Sequence, residues 1–177
     1  MLKCQRFGFT YKTTFGWVDR TGDMQADAGA EQSQGGKSQT AGPNQPETLL
    51  AMFERPPGAA GDSVNSAVVI VAESLSDYHG IKTAADYFGP IMELNAQRGF
   101  KVENEPYNFA VGARTQVRGD FSKERSKVTI WQSSLVMIEK GYIVSFTFVG
   151  GSEDEVESLI GNLSFGMHTP ASAMPAR

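Results

Sequence analysis

The alternating run from Tyr142 to Val149 constrains this chain more than any other stretch. Tyr142, Val144, Phe146 and Phe148 fall on one face, and Ile143, Ser145, Thr147 and Val149 on the other. Nearly all are β-branched or aromatic, which suits a pleated, half-buried strand. Each large side chain on the first face gains about 1.5–3 kcal/mol on burial. The apolar run Val128–Ile138 precedes it, and Glu139-Lys140-Gly141 between the two reads as a tight hairpin. Gly150-Gly151 ends the second strand. Ser152 then has the form of a helix N-cap, with Glu155 three residues on and Glu153 and Asp154 in the first turn. Val156, Leu159, Ile160 and Leu163 make one apolar stripe, and Gly166 is the expected stop. So short a helix needs its stripe docked, and the neighbouring strand is the natural surface.

The rest of the chain fits around this unit. Its 177 residues suit one domain, with 40% hydrophobic content to supply a core. Phe7–Tyr11 and Phe15–Val18 read as an N-terminal hairpin within residues 1–20, with Trp17 as its anchor. Residues 21–47 are rich in Gly, Gln, Ala and Ser, and read as a flexible low-complexity loop, because little apolar surface offsets their ordering entropy. The main body of the same domain is 48–166. There, Leu49–Glu54 and the near-continuous apolar run Ser66–Glu73 are strands, the second central and covered on both faces. Thr83 and Asp86 open a helix that carries Ala84, Tyr87, Phe88, Ile91 and Leu94, with Pro90 expected to kink it and Gly99 to close it. Phe100–Tyr107 is an edge strand ended by Pro106. Ala113–Phe121 is a polar strand with one exposed face. Residues 167–177 read as a disordered tail. Strands in runs, with two helices, indicate an α+β fold on a mainly antiparallel sheet.

Little in the sequence points to chemistry. Sixteen basic against twenty acidic residues argue against a nucleic-acid binder. The one cysteine, Cys4, cannot form an internal disulfide. No run reaches the about 20 apolar residues of a membrane helix. As written, the sequence reads as cytoplasmic, and as periplasmic or exported if a signal peptide belongs upstream. His79, His168 and Cys4 have no metal-ligand spacing, and no nucleophile elbow accompanies His79. No catalytic, cofactor or metal residue is assigned. Gly150-Gly151-Ser152 lacks the lysine of a phosphate loop and carries three acids. Arg118-Gly119-Asp120, an integrin-type tripeptide, reads as a chance match. Two groups remain as candidate binding residues. Arg114, Arg118, Lys123, Arg125 and Lys127 form a basic ribbon suited to an acidic partner. Tyr87, Phe88 and Trp131 are the walls of a pocket between sheet and helix.

In this order the elements resemble the PsbP-like superfamily, which includes the extrinsic PsbP subunit of photosystem II, a Ran-binding import factor and bacterial DcrB-like proteins. The resemblance rests on Phe7–Tyr11 followed by Phe15-Gly-Trp17, the strand Val68–Glu73, Ala85-Asp-Tyr-Phe88, the Phe100-Lys-Val strand, and Gly141–Val144 leading to Val156–Phe165. It implies an α-β-α sandwich and a non-enzymatic binding or accessory module working through a protein partner. A small-molecule binder or enzyme, and a chaperone for apolar segments, are the alternative functions. A cone-shaped sheet of the nuclear-transport-factor type is the alternative fold; it places helices before strands, whereas here strands come first.

Overall fold

The computed structural model describes residues 1–34 and 45–166. Seven antiparallel strands form the main sheet: β3 (Val18–Asp19), β4 (Glu47–Phe53), β5 (Ala67–Ser74), β6 (Lys101–Val111), β7 (Arg114–Arg125), β8 (Val128–Glu139) and β9 (Tyr142–Gly150). Their order is β3-β4-β5-β9-β8-β7-β6. A small sheet of β1 (Leu2–Cys4), β2 (Phe9–Tyr11) and β10 (Leu163–Phe165) lies with helix α3 (Glu153–Ile160) on one face. Helix α2 (Phe88–Gln97) covers part of the other. The fold is α+β, an α-β-α sandwich.

Strand β9 lies between β5 and β8, and its alternation sorts the two cores. Val144, Phe146 and Phe148 are sealed under α3 and the small sheet, with Phe9 stacking edge-on against Phe146. Ile143 lies under α2 with Val136 and Phe88. The β8–β9 connection is a two-residue loop with Lys140 and Gly141 both at positive φ, the arrangement that matches strand twist. Ser152 caps α3 by accepting from the Glu155 N–H, while Glu155 itself accepts from Gly151. Val156, Leu159 and Ile160 are all buried.

Several elements depart from the sequence reading. Helix α3 stops at Ile160, and Gly161 keeps a right-handed conformation. Leu163 belongs to β10, which pairs with β2; the pairing supplies backbone hydrogen bonds and still buries Leu163, so a further helical turn gains nothing. The segments Phe7–Tyr11 and Phe15–Val18 do not pair with each other. Instead β2 pairs with β1, and β3 joins β4. Trp17 is half-buried against the main core. Pro90 sits in the first turn of α2, where its missing donor costs little, so it does not kink the helix. Gly99 closes it at φ +82°. Val69 and Val71 of β5 are only half-buried, since α2 does not reach across the whole sheet.

The largest departure is in the 21–47 segment. Thr21–Gln34 is a helix, α1. Its alanines and glutamines favour helix intrinsically, and its anchorage is polar. Asp19 accepts from the Thr21 N–H and hydroxyl, the Thr21 hydroxyl accepts from Ala51, and the Gln25 side chain bridges Pro46 and Thr48. Those bonds hold α1 on β4 without a large apolar face. Glu47 already begins β4, while residues 35–44 of the expected loop, and the tail at 167–177, lie outside the described residues.

Two substitutions test this packing. Leu159→Asp removes a buried leucine worth about 2–5 kcal/mol and leaves a charge in its place. It should abolish cooperative unfolding; a soluble variant with an unchanged melting temperature would refute the docking of α3. At Gly119 an added Cβ would lie 2.7 Å from the Phe88 ring. Gly119→Ala should therefore cost about 1–3 kcal/mol by chemical denaturation, and a neutral result would show that the ring is free to move.

Candidate functional site

Period two decides where the basic ribbon goes. On β7 the side chains of Arg114, Gln116, Arg118 and Asp120 face α3 and the small sheet, while Gly119, Phe121 and Lys123 face α2. Arg114 pairs with Glu139 and stacks over Phe165. Lys123 donates to the Arg98 carbonyl beneath α2. Arg125 and Lys127 are exposed at the β7–β8 turn. Arg118 is only 5% exposed. The five residues thus form no single surface, and a continuous basic ribbon is not what the chain builds.

Arg118 is instead the centre of a buried network. Its Nε donates to Asp120 at 2.8 Å, and its Nη2 to Ser133 and to Glu157 of α3. Asp120 also accepts from the Ser133 hydroxyl, from Asn104 at 3.0 Å and from the Tyr107 hydroxyl at 3.3 Å. The guanidinium lies 4.7 Å from the Phe109 ring centre. Burial opposes the Arg118 charge, but hydrogen bonds to Glu157 and Asp120 outweigh it and hold its pKa above the usual arginine value. Burial, reinforced by the Asp120 charge, likewise raises the Tyr107 phenol. Strands β6, β7 and β8 and helix α3 are tied together at this point.

A cleft of about 210 Å³ opens over the network. Tyr107 and Trp131 stand on its sides, Arg118 and Asp120 lie in it, and Glu153, Asp154 and Glu157 from the start of α3 border it. Of the three expected pocket walls, Trp131 alone lines this cleft. Phe88 is 1% exposed and fills the core beneath α2 on the opposite face. Tyr87 is on that face too, where its hydroxyl and that of Tyr78 both donate to Glu73. Burial lifts the Tyr78 phenol to about 12. His79 is exposed in the turn that follows. Among the described residues, no three His, Cys, Asp or Glu side chains are grouped to hold a metal ion.

The sequence did contain a signal for this network. Arg118 and Asp120 are two apart on a strand, so both point to one face, with a side-chain-free residue between them to admit Phe88 on the other. Asn104, Tyr107, Ser133 and Glu157 carry no comparable local mark.

No family model and no curated protein matches the chain. Solved structures similar to it include a protein of unknown function from Pseudomonas aeruginosa, at 15% identity and a TM-score of 0.39, over 72% of this chain and 79% of that one. Another is LpqN of Mycobacterium tuberculosis, involved in cell envelope biogenesis, at 12% identity and a TM-score of 0.44, over 88% and 82%. At these levels the likeness carries no argument, and the site is read from its own geometry.

Removing one partner from a buried ion pair leaves the other uncompensated. Asp120→Ala should cost about 2–4 kcal/mol in urea denaturation, allowing for the partner Arg118 keeps in Glu157. Arg118→Met with Asp120→Leu should recover most of that loss. A single variant within about 0.5 kcal/mol of the parent would mean that solvent already reaches the pair.

Proposed function

We propose that this protein is a non-catalytic binding or accessory module that recognises another protein by strand addition at the free edge of β6. The observation carrying this reading is the character of that edge. Strand β6 is the last of the seven, so half of its backbone groups have no sheet partner among the described residues. Its first half is guarded: the register slips between Val102 and Asn104 and again between Asn104 and Tyr107, Pro106 lacks a donor, and Lys101, Glu103 and Glu105 are charged. From Tyr107 to Val111 the pairing with β7 is unbroken, and no residue is charged or proline. A short, regular, uncharged edge is what strand-adding recognition uses.

Other features support the same reading. The sequence resemblance to the PsbP-like superfamily, mostly accessory proteins, points this way. The acidic balance of the chain favours a protein partner over nucleic acid. The rival small-molecule or enzyme reading draws on the cleft, but about 210 Å³ is below the about 300–1,000 Å³ of ligand pockets. The chaperone reading calls for one broad apolar patch. Among the described residues, the exposed large apolar side chains are Met1 and Phe15 in the N-terminal segment, Leu94 on α2, and Val102 and Tyr107 on β6, spread over three parts of the chain.

The reading is tested by placing a photo-crosslinking amino acid at Ala110, on the open edge, or at Lys127, in the β7–β8 turn. In cells of the native source, position 110 should give a discrete crosslinked species that position 127 does not. Equal labelling at both positions, or none at 110, would remove the edge as the docking site.

A further inference from the structure

The cleft under α3 is adjacent to the free stretch of β6, and Tyr107 belongs to both. Side chains of a strand paired with Tyr107–Val111 would alternate between the α2 face and the α3 face. Those on the α3 face, at the level of Tyr107, would be over the cleft. The chemistry of the cleft then says which side chain it accepts.

Four carboxylates line it, Asp120, Glu153, Asp154 and Glu157, against one cation, Arg118. Arg118 is spent on Asp120 and Glu157. Glu153 and Asp154 are exposed and have no ion pair among the described residues. The amino end of α3 offsets only about half a charge, so the field at the mouth stays negative. That disfavours a carboxylate or phosphate. The acids are also not grouped closely enough for a metal ion. Aromatic rings suit a cation that is spread out or carried on an apolar stem, and Tyr107 and Trp131 supply them on the sides of the cleft. The volume accommodates one long side chain.

From this we infer that the cleft receives the cationic end of a lysine or arginine on the strand that docks at β6. The inference rests on the edge reading for the chain that bears the side chain, while the cleft chemistry can be measured separately.

The test is a two-dimensional NMR titration of the whole protein with N-acetyl-arginine amide and N-acetyl-lysine amide. N-acetyl-norleucine amide and N-acetyl-glutamate amide serve as controls. The Trp131 indole signal, assigned by comparison with Trp17→Phe, reports on the cleft. The basic amides should move it with half-saturation at about 1–10 mM, and the controls should not. Raising salt from about 50 to 500 mM should weaken the shift several-fold, since the acids at the mouth are solvent-exposed. Glu153→Gln with Asp154→Asn, two exposed positions, should weaken it at least about fivefold without changing the fold seen in the rest of the spectrum. Equal shifts with norleucine amide, or none with the basic amides, would overturn the inference. If the amides bind yet Ala110 fails to crosslink, the edge reading falls and with it the strand as carrier of the cation. If Ala110 crosslinks and the amides do not bind, the cleft assignment alone falls.

Discussion

The burial of one face of β9 is the constraint that the rest of the structure serves. Val144, Phe146 and Phe148 sit in the middle of the sheet with essentially no solvent exposure. They need a lid, and no single element is long enough to be one. Helix α3 has eight residues and the small sheet has three strands of three residues each. Neither would persist alone. Together they close the face, with Tyr11 donating to the Leu159 carbonyl to join one to the other. Because the helix must begin immediately after β9, its acidic first turn is placed beside β7 and β8. The composition of the cleft mouth is in that sense set by the capping of α3.

The Arg118 network has a different energetic character. A buried ion pair gains from Coulomb attraction in a low dielectric but pays for desolvation, and the balance is often near zero. Here the loss is softened because the carboxylate of Asp120 has four donors around it and the guanidinium has three acceptors. Its consequence is geometric more than energetic. Tyr107 and Asn104 are held on β6 just where that strand changes from irregular to regular pairing. The same contacts that fill the cleft floor thus fix the start of the usable edge.

How much of this was legible in the sequence depended on range. The alternation in β9, its two-residue hairpin and the Ser152 cap are short-range features, and each follows from its own residues. Helix α1 is hidden because its low hydrophobicity reads as disorder, whereas Thr21 and Gln25 anchor it through polar bonds to β4. Leu163 satisfies a helical stripe and a strand equally well, and only the position of β2 decides between them. Arg118 reads as a surface cation because spacing alone does not bring its two neighbouring strands, β6 and β8, together with α3. Spacing along the chain does not show that Tyr87 and Phe88 lie on one side of the sheet and Trp131 on the other, so the three read as walls of one pocket.

The two register slips in β6 also act as a ruler. They leave about five residues of clean backbone, or roughly 17 Å of ribbon at strand spacing. A long sheet from another molecule would collide with the bulged half before its hydrogen bonds were complete. On the edge reading proposed above, only a brief linear segment would fit, which discourages open-ended stacking of sheet upon sheet while leaving room for one short guest.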